Sequence, residues 1–178
     1  MKKLTLSLLT SLLVIGTSFA GPMTSKSFKD KNPVAPEPCF KGQELQVDLF
    51  GSWTNFQDAS RYHDGFGGGL GVNYFFMKYV GVGVDGNVLG GHAHGVWNTT
   101  GSLIVRYPLE LGSLCVAPYV LAGGGYQADG TSSGSMHAGG GLEFRVIKQK
   151  LGIFAEGRHT WAENNDSTQV RSGIRIVF

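Results

Sequence analysis

The sequence predicts an all-β fold, an eight-stranded antiparallel up-and-down transmembrane β-barrel. Three observations predict it. Segments of about ten to twelve residues alternate between apolar and polar side chains, the period of a strand whose two faces meet different environments. The connections between these segments alternate between short turns and longer polar loops. Many of the 28 glycines lie inside the alternating segments rather than between them. Glycine weakens an ordinary strand, but a narrow barrel has a crowded lumen that small inward residues relieve.

The chain begins with Lys2 and Lys3, an apolar run from Leu4 to Ile15, and Ser18-Phe19-Ala20. This is the pattern of a secretory signal peptide cleaved after Ala20, and the run is shorter than the ~20 apolar residues of a spanning helix. Residues 21–43 read as a linker, extended and irregular through Pro33, Pro36 and Pro38. The first alternating segment is Leu45 to Thr54, with Leu45, Val47, Leu49 and Trp53 opposite Gln46, Asp48 and Ser52. The second, Gly65 to Phe76, sets Phe66, Leu70, Val72, Tyr74 and Phe76 against Gly67, Gly69, Gly71 and Asn73. After a turn at Met77-Lys78, the third runs from Tyr79 to Leu89, with four valines opposite Gly81, Gly83, Asp85 and Asn87.

The fourth segment spans about Thr99 to Leu109, with a turn expected over Glu110 to Leu114. The fifth spans Cys115 to Gln127, where Pro118 belongs near the strand's start because proline cannot donate to a ladder. The sixth is Ser135 to Ile147, the seventh Leu151 to Ala162, and the eighth Thr168 to Phe178. In the eighth, Val170, Ser172, Ile174, Ile176 and Phe178 share one face, and Arg171 and Arg175 the other. Strands of this length cross a bilayer at a tilt. Open strand edges cannot sit in hydrocarbon, so an even-numbered meander facing lipid should close.

Four stretches carry a family resemblance: Gly65-Phe66-Gly67-Gly68-Gly69-Leu70-Gly71, Pro118-Tyr119-Val120-Leu121-Ala122-Gly123-Gly124-Gly125-Tyr126, Glu156-Gly157-Arg158 with Trp161, and the terminal Phe178. Through them residues 44–178 resemble the eight-stranded outer-membrane β-barrels of the OmpA-like and opacity-protein type. The resemblance implies a bacterial outer-membrane location, with short turns and the 21–43 linker in the periplasm and longer loops outside. It also implies that the barrel-assembly machinery recognises the last strand, with Phe178 as assembly signal. It leaves the role open, since members serve as envelope anchors, adhesins or small, mostly plugged pores. The peptidoglycan-binding domain that some relatives append is not expected here.

The inward parity collects Asp48, Asp85, Glu143 and Glu156 with Arg106, Arg145, Arg158, Arg171 and Arg175. Buried charges persist when paired, and arginine's planar fork suits carboxylates. The expectation is a salt-bridge network plugging the lumen; the alternative is a narrow pore lined by the same charges. Trp53, Tyr74, Phe76, Trp161 and Phe178 read as an aromatic girdle. Cys39 precedes the first strand and Cys115 opens the fifth, which puts both at the periplasmic end and predicts a disulfide in an oxidising compartment.

Other chemistries fit less well. Lys2 and Lys3 belong to the signal segment, so the 15 Lys and Arg of the chain fall to 13 beyond it, matching the 13 Asp and Glu. That balance argues against a nucleic-acid partner. Gly81-Val82-Gly83-Val84-Asp85-Gly86 has the spacing of a dinucleotide fingerprint but lies within a strand, where no helix opens. No cofactor is expected. His63, His92, His94, His137 and His159 map to the external half and read as polar surface residues. Outer-membrane lipid A deacylases carry a histidine with a serine two residues on; here His159 is followed by Trp161, which lacks the nucleophile. Expected partners are membrane lipid, the assembly machinery, and a host or cell-surface ligand at the external loops.

Overall fold

The computed structural model describes residues 37–57, 64–89, 96–112, 114–128, 132–162 and 166–178. The expected signal segment, residues 21–36 of the expected linker, and His63, His92 and His94 lie outside the described residues. All regular structure among the described residues is strand: β1 (Glu44–Phe56), β2 (Gly65–Phe75), β3 (Val80–Leu89), β4 (Val96–Arg106), β5 (Leu109–Leu111), β6 (Leu114–Ala128), β7 (Ser132–Ile147), β8 (Leu151–Ala162) and β9 (Ser167–Val177). Apart from β4 and β5, neighbours in sequence pair antiparallel, β1 pairs with β9, and β4 pairs with β6, so eight long strands form a closed ring. The seam is long, running from Gln46 opposite Val177 to Phe56 opposite Ser167. Closure removes both edges.

The fourth segment departs from expectation. The strand starts earlier, at Val96, and stops at Arg106; Leu109–Leu111 then forms β5 against Leu114–Val116. Pro108 explains the break, because it has no N–H to give a ladder. The expected turn over Glu110 to Leu114 shrinks accordingly, and Gly112, at φ +63°, supplies the left-handed residue that so tight a turn needs. Pro118 lies five residues into β6 beside this break, its carbonyl accepting from Tyr107 N at 2.8 Å. Residues in a hydrogen-bonded pair exchange two bonds; here one half of the exchange is given up where the ladder is already interrupted. β7 is also longer than its pattern suggested, beginning at Ser132.

Burial alternates along each strand as the pleat requires. Leu49, Leu70, Val84, Leu103, Val120, Ile153 and Ile174 point outward and are exposed. Polar and charged side chains fill the inside. Aromatic residues ring the outside at both ends. Trp53, Phe66, Trp97, Tyr126 and Trp161 stand toward the long-loop end, and Tyr74, Phe76, Tyr79, Tyr107 and Phe178 toward the short-turn end. The five aromatic residues singled out from sequence thus divide between two belts.

Inward glycines make room for large luminal rings. A Cβ on Gly141 would stand 2.8 Å from the Tyr119 ring and hydroxyl, and one on Gly81 would stand 2.8 Å from the Phe75 ring. Gly157 points outward, with nothing within 4 Å of its would-be Cβ. We expect Gly141→Val to destabilise the barrel by about 1–3 kcal/mol through overpacking, and Gly157→Ala to leave it unchanged. Urea unfolding of the barrel refolded in detergent micelles checks both.

Candidate functional site

The candidate site is the lumen, and its chemistry follows from inward parity. β1 contributes Glu44 and Asp48, β3 Asp85, β4 Arg106, β6 Tyr119, β7 Glu143 and Arg145, β8 Glu156 and Arg158, and β9 Arg171 and Arg175. Apart from the partly buried Asp85, all of these are buried.

They sort into two clusters. Nearer the short-turn end, Glu44 Oε1 accepts from Arg106 Nη1 at 2.9 Å and also from Arg145 Nη2. Arg145 Nε lies 2.6 Å from Glu143 Oε1, and Glu143 Oε2 accepts from Arg175 Nη1 at 2.7 Å. Arg175 then grips Asp48 with Nε and Nη2, both at 2.7 Å, the bidentate fork that matches a carboxylate. Asn73 donates to the same carboxylate at 2.8 Å. Above this, Arg171 donates to Glu156 and, at 2.8 Å, to Asp85 Oδ1. Arg158 reaches Asp85 Oδ2 at 3.1 Å, Glu156 Oε1 at 3.2 Å and Thr100 Oγ1 at 2.9 Å. Tyr119 lies between the clusters: its hydroxyl donates to Glu156 Oε2 at 3.0 Å, and its ring is 5.7 Å from the Arg175 guanidinium.

All nine charged residues of the sequence-derived set thus lie in these clusters, and the structure adds a tenth, Glu44. With it each cluster is neutral: three arginines against three acids, then two against two. Glu44 shares its parity with Gln46 and Asp48, so the signal was present one residue before the apolar alternation becomes visible. The aromatic part of the lumen also escaped the pattern. Arg106 lies 3.7 Å over Phe75, Arg171 4.6 Å over Phe50 and Arg175 4.7 Å over Phe154. Such cation–π contacts gain strength when desolvated, and they let phenylalanine occupy an inward position among charges.

Among the described residues, two small cavities flank the central ion pairs of the lumen. A cavity beneath the Asp85–Arg158 pair and another above it each offer about 20 Å³, near the room one water needs. The upper one is lined by amides and hydroxyls, including Asn87, Asn98, Gln127, Thr160 and Gln169. His137 is in the lumen and buried, with Nε2 2.9 Å from Ser102 Oγ, which corrects its reading as a surface residue. Its even spacing from Glu143 and Arg145 had already given it inward parity. His159 faces outward, Nδ1 3.0 Å from Thr168 Oγ1 and its ring 4.8 Å from Trp161. The hydroxyl beside it therefore comes from across the strand pair. No group of three metal-ligating side chains occurs among the described residues.

The short-turn mouth is crossed by residues 38–43. Pro38 O accepts from Gln149 Nε2 at 2.8 Å in the β7–β8 turn, and Cys39 is joined to Cys115 of β6 by a disulfide with Cα atoms 5.8 Å apart. Phe40 is 1% exposed and lies beneath both Arg106 and Arg145, at 5.0 and 4.7 Å. Lys41 O accepts from Arg106 Nη2 at 2.9 Å, and Gly42 packs on the Met77–Lys78 backbone of the β2–β3 turn. Gln43, at φ 57°, then turns the chain into β1. This strap touches all three short connections. Outside the barrel wall, Lys78 lies 3.0 Å from Glu110 and, with a backbone bond from Cys39, holds that carboxyl below its usual range.

No protein-family model matches the chain, and no curated protein matches its sequence. Solved structures share its fold. The N-terminal β-barrel domain of Pseudomonas aeruginosa OprF superposes with a TM-score of 0.61 at 14% identity, over 78% of this chain and 99% of that one. Neisserial surface protein A gives 0.58 at 16% identity, over 75% and 95%. Ail, the attachment invasion locus protein of Yersinia pestis, gives 0.51 at 17% identity, over 77% and 99%. At these identities the likeness is one of fold: a closed eight-stranded antiparallel up-and-down barrel.

Proposed function

We propose that this chain is a bacterial outer-membrane barrel with a structural or surface-interaction role, its lumen plugged by the arginine–carboxylate network. One observation carries the reading: an exposed apolar wall bounded by aromatic belts encloses a charge-balanced interior with no more than water-sized space around its central pair. An apolar outer face with polar filling suits lipid outside and a sealed lumen inside. The short turns and the strap then lie on the periplasmic side. Partners under this reading are membrane lipid, the assembly machinery acting on β9 and Phe178, and a surface ligand at the long-loop end. The role is non-enzymatic; altered lipid A masses on expression would contradict that part.

Outer-membrane fractionation together with heat-modifiable gel mobility tests the location. For the plug, purified protein in a planar bilayer is expected to give no stable conductance, and discrete channel steps would favour the narrow-pore alternative. A substitution tests the lipid face directly. Leu49 is 60% exposed and lies midway along β1. We expect Leu49→Arg to cost about 2–4 kcal/mol of stability in bilayers, the penalty for arginine near the midplane, against little change in an aqueous setting. Folding titrations into lipid vesicles measure it.

A further inference from the structure

We propose that the Cys39–Cys115 disulfide is formed in the unfolded exported chain, by a thiol–disulfide oxidoreductase of the receiving compartment, before the barrel closes. This rests on the outer-membrane reading, because export is what brings the thiols to such an enzyme. The geometry supplies the order. Cys39 and Cys115 are each 1% exposed and pack with Phe40 and Ala117. Cys115 points into the lumen, where the Arg106–Glu44–Arg145 bridge lies above, and the strap covers it from below. Hydrogen bonds from Gln149 to Pro38 O and from Arg106 to Lys41 O hold the strap on either side of Cys39.

Thiol–disulfide exchange needs a thiolate that can reach a disulfide sulfur. The sulfur of an oxidoreductase sits on a folded protein surface, which cannot approach either buried position. In the open chain both thiols are accessible. One thiolate attacks the enzyme's disulfide, forming a mixed disulfide and releasing one enzyme thiolate. The second cysteine's thiolate then attacks the chain's sulfur in that mixed disulfide, forming Cys39–Cys115 and releasing the enzyme as a dithiol. Two electrons pass to the enzyme, and the two protons of the cysteine thiols balance those of its dithiol. The chain thus reaches barrel closure as a covalent loop with its ends 76 residues apart, enclosing β1 to β5, while the bulk of β6 and all of β7 to β9 lie beyond it.

Pulse-labelling of the full chain in a bacterium with an outer membrane, with acid quenching and maleimide mass-tagging of thiols, reads oxidation. Unheated gel mobility reads barrel formation in the same samples. The expected order is oxidised chain first and compact barrel second, with free thiols persisting in a strain lacking its disulfide oxidase. A compact species that carries two taggable thiols and later loses them overturns the proposal, as does normal oxidation in the deficient strain. A second arm is independent of location. The reduced full chain is exposed to oxidised glutathione either in urea or after folding in detergent micelles, and oxidation of the folded barrel should be slower by roughly tenfold or more. Equal rates overturn the inference. Failure of the outer-membrane reading would show differently, as compact chain in another cell fraction with the two rates still distinct.

Discussion

Arg175→Ala should cost the barrel about 3–5 kcal/mol, the usual penalty for removing one partner of a buried ion pair. Arg175 is 4% exposed and makes a two-point contact with Asp48 and a third bond with Glu143. Without it the buried Asp48 carboxylate keeps only the Asn73 amide, and Glu143 must share Arg145 with Glu44. Arg175→Lys should recover only part of the loss, because an ammonium cannot reproduce the fork. Combining Arg175→Met with Asp48→Asn and Glu143→Gln should recover more than the lysine variant, since the damage lies in the uncompensated charges rather than in the missing pair. Urea titrations of the micelle-refolded barrel, followed by tryptophan fluorescence, give the values. A loss below about 1 kcal/mol for the alanine variant would mean that water reaches the network and that the plug is looser than its geometry.

Removing the disulfide through Cys39→Ser with Cys115→Ser should cost about 4 kcal/mol. The two cysteines are 76 residues apart, and cross-linking a loop of that size removes an amount of this order from the unfolded chain's entropy. Phe40→Ala, which empties the space beneath two guanidinium groups, should cost about 3–5 kcal/mol as a buried aromatic truncation. Because Phe40 follows Cys39 in the same strap, the combined loss should fall short of the sum of the separate ones. Melting of the oxidised and doubly substituted proteins in the same detergent checks the first value. A cost near zero would show that the strap holds its place by packing alone.

Strand count and facing were legible because a strand's side chains alternate with a fixed period of two. The run Val80, Val82, Val84 and Val88 cannot be turned inward without putting Gly81, Gly83 and Asp85 outward together. The limits of that legibility fall where the alternation is silent. Val96 to Asn98 read as loop because Trp97 stands between a glycine-histidine stretch and polar residues, yet these residues extend the ladder opposite Asn87 to Leu89. Leu109 reads as the end of a strand that runs through Pro108 and Leu111 as turn, yet both pair with β6 in a separate short strand. The strap gave no periodic signal at all. Its position depends on contacts with three separate turns, which no local window contains.

Parity alone determined which side chains enter the lumen, and composition determined that arginines and carboxylates there would be nearly matched. Neither could say which arginine meets which acid. Arg106 and Glu44 are 62 residues apart, and Arg175 and Asp48 are 127 apart. They meet because closing β1 onto β9 and β4 onto β6 fixes the heights of eight strands at once. That register decided the division into two neutral clusters, the pairing of guanidinium groups with Phe50, Phe75 and Phe154, and the place of Phe40 beneath the whole. The physical reason is the range of the forces. Alternation follows from local backbone geometry and burial, whereas a buried ion pair needs two charges within a few ångströms, a distance set only by the closed ring.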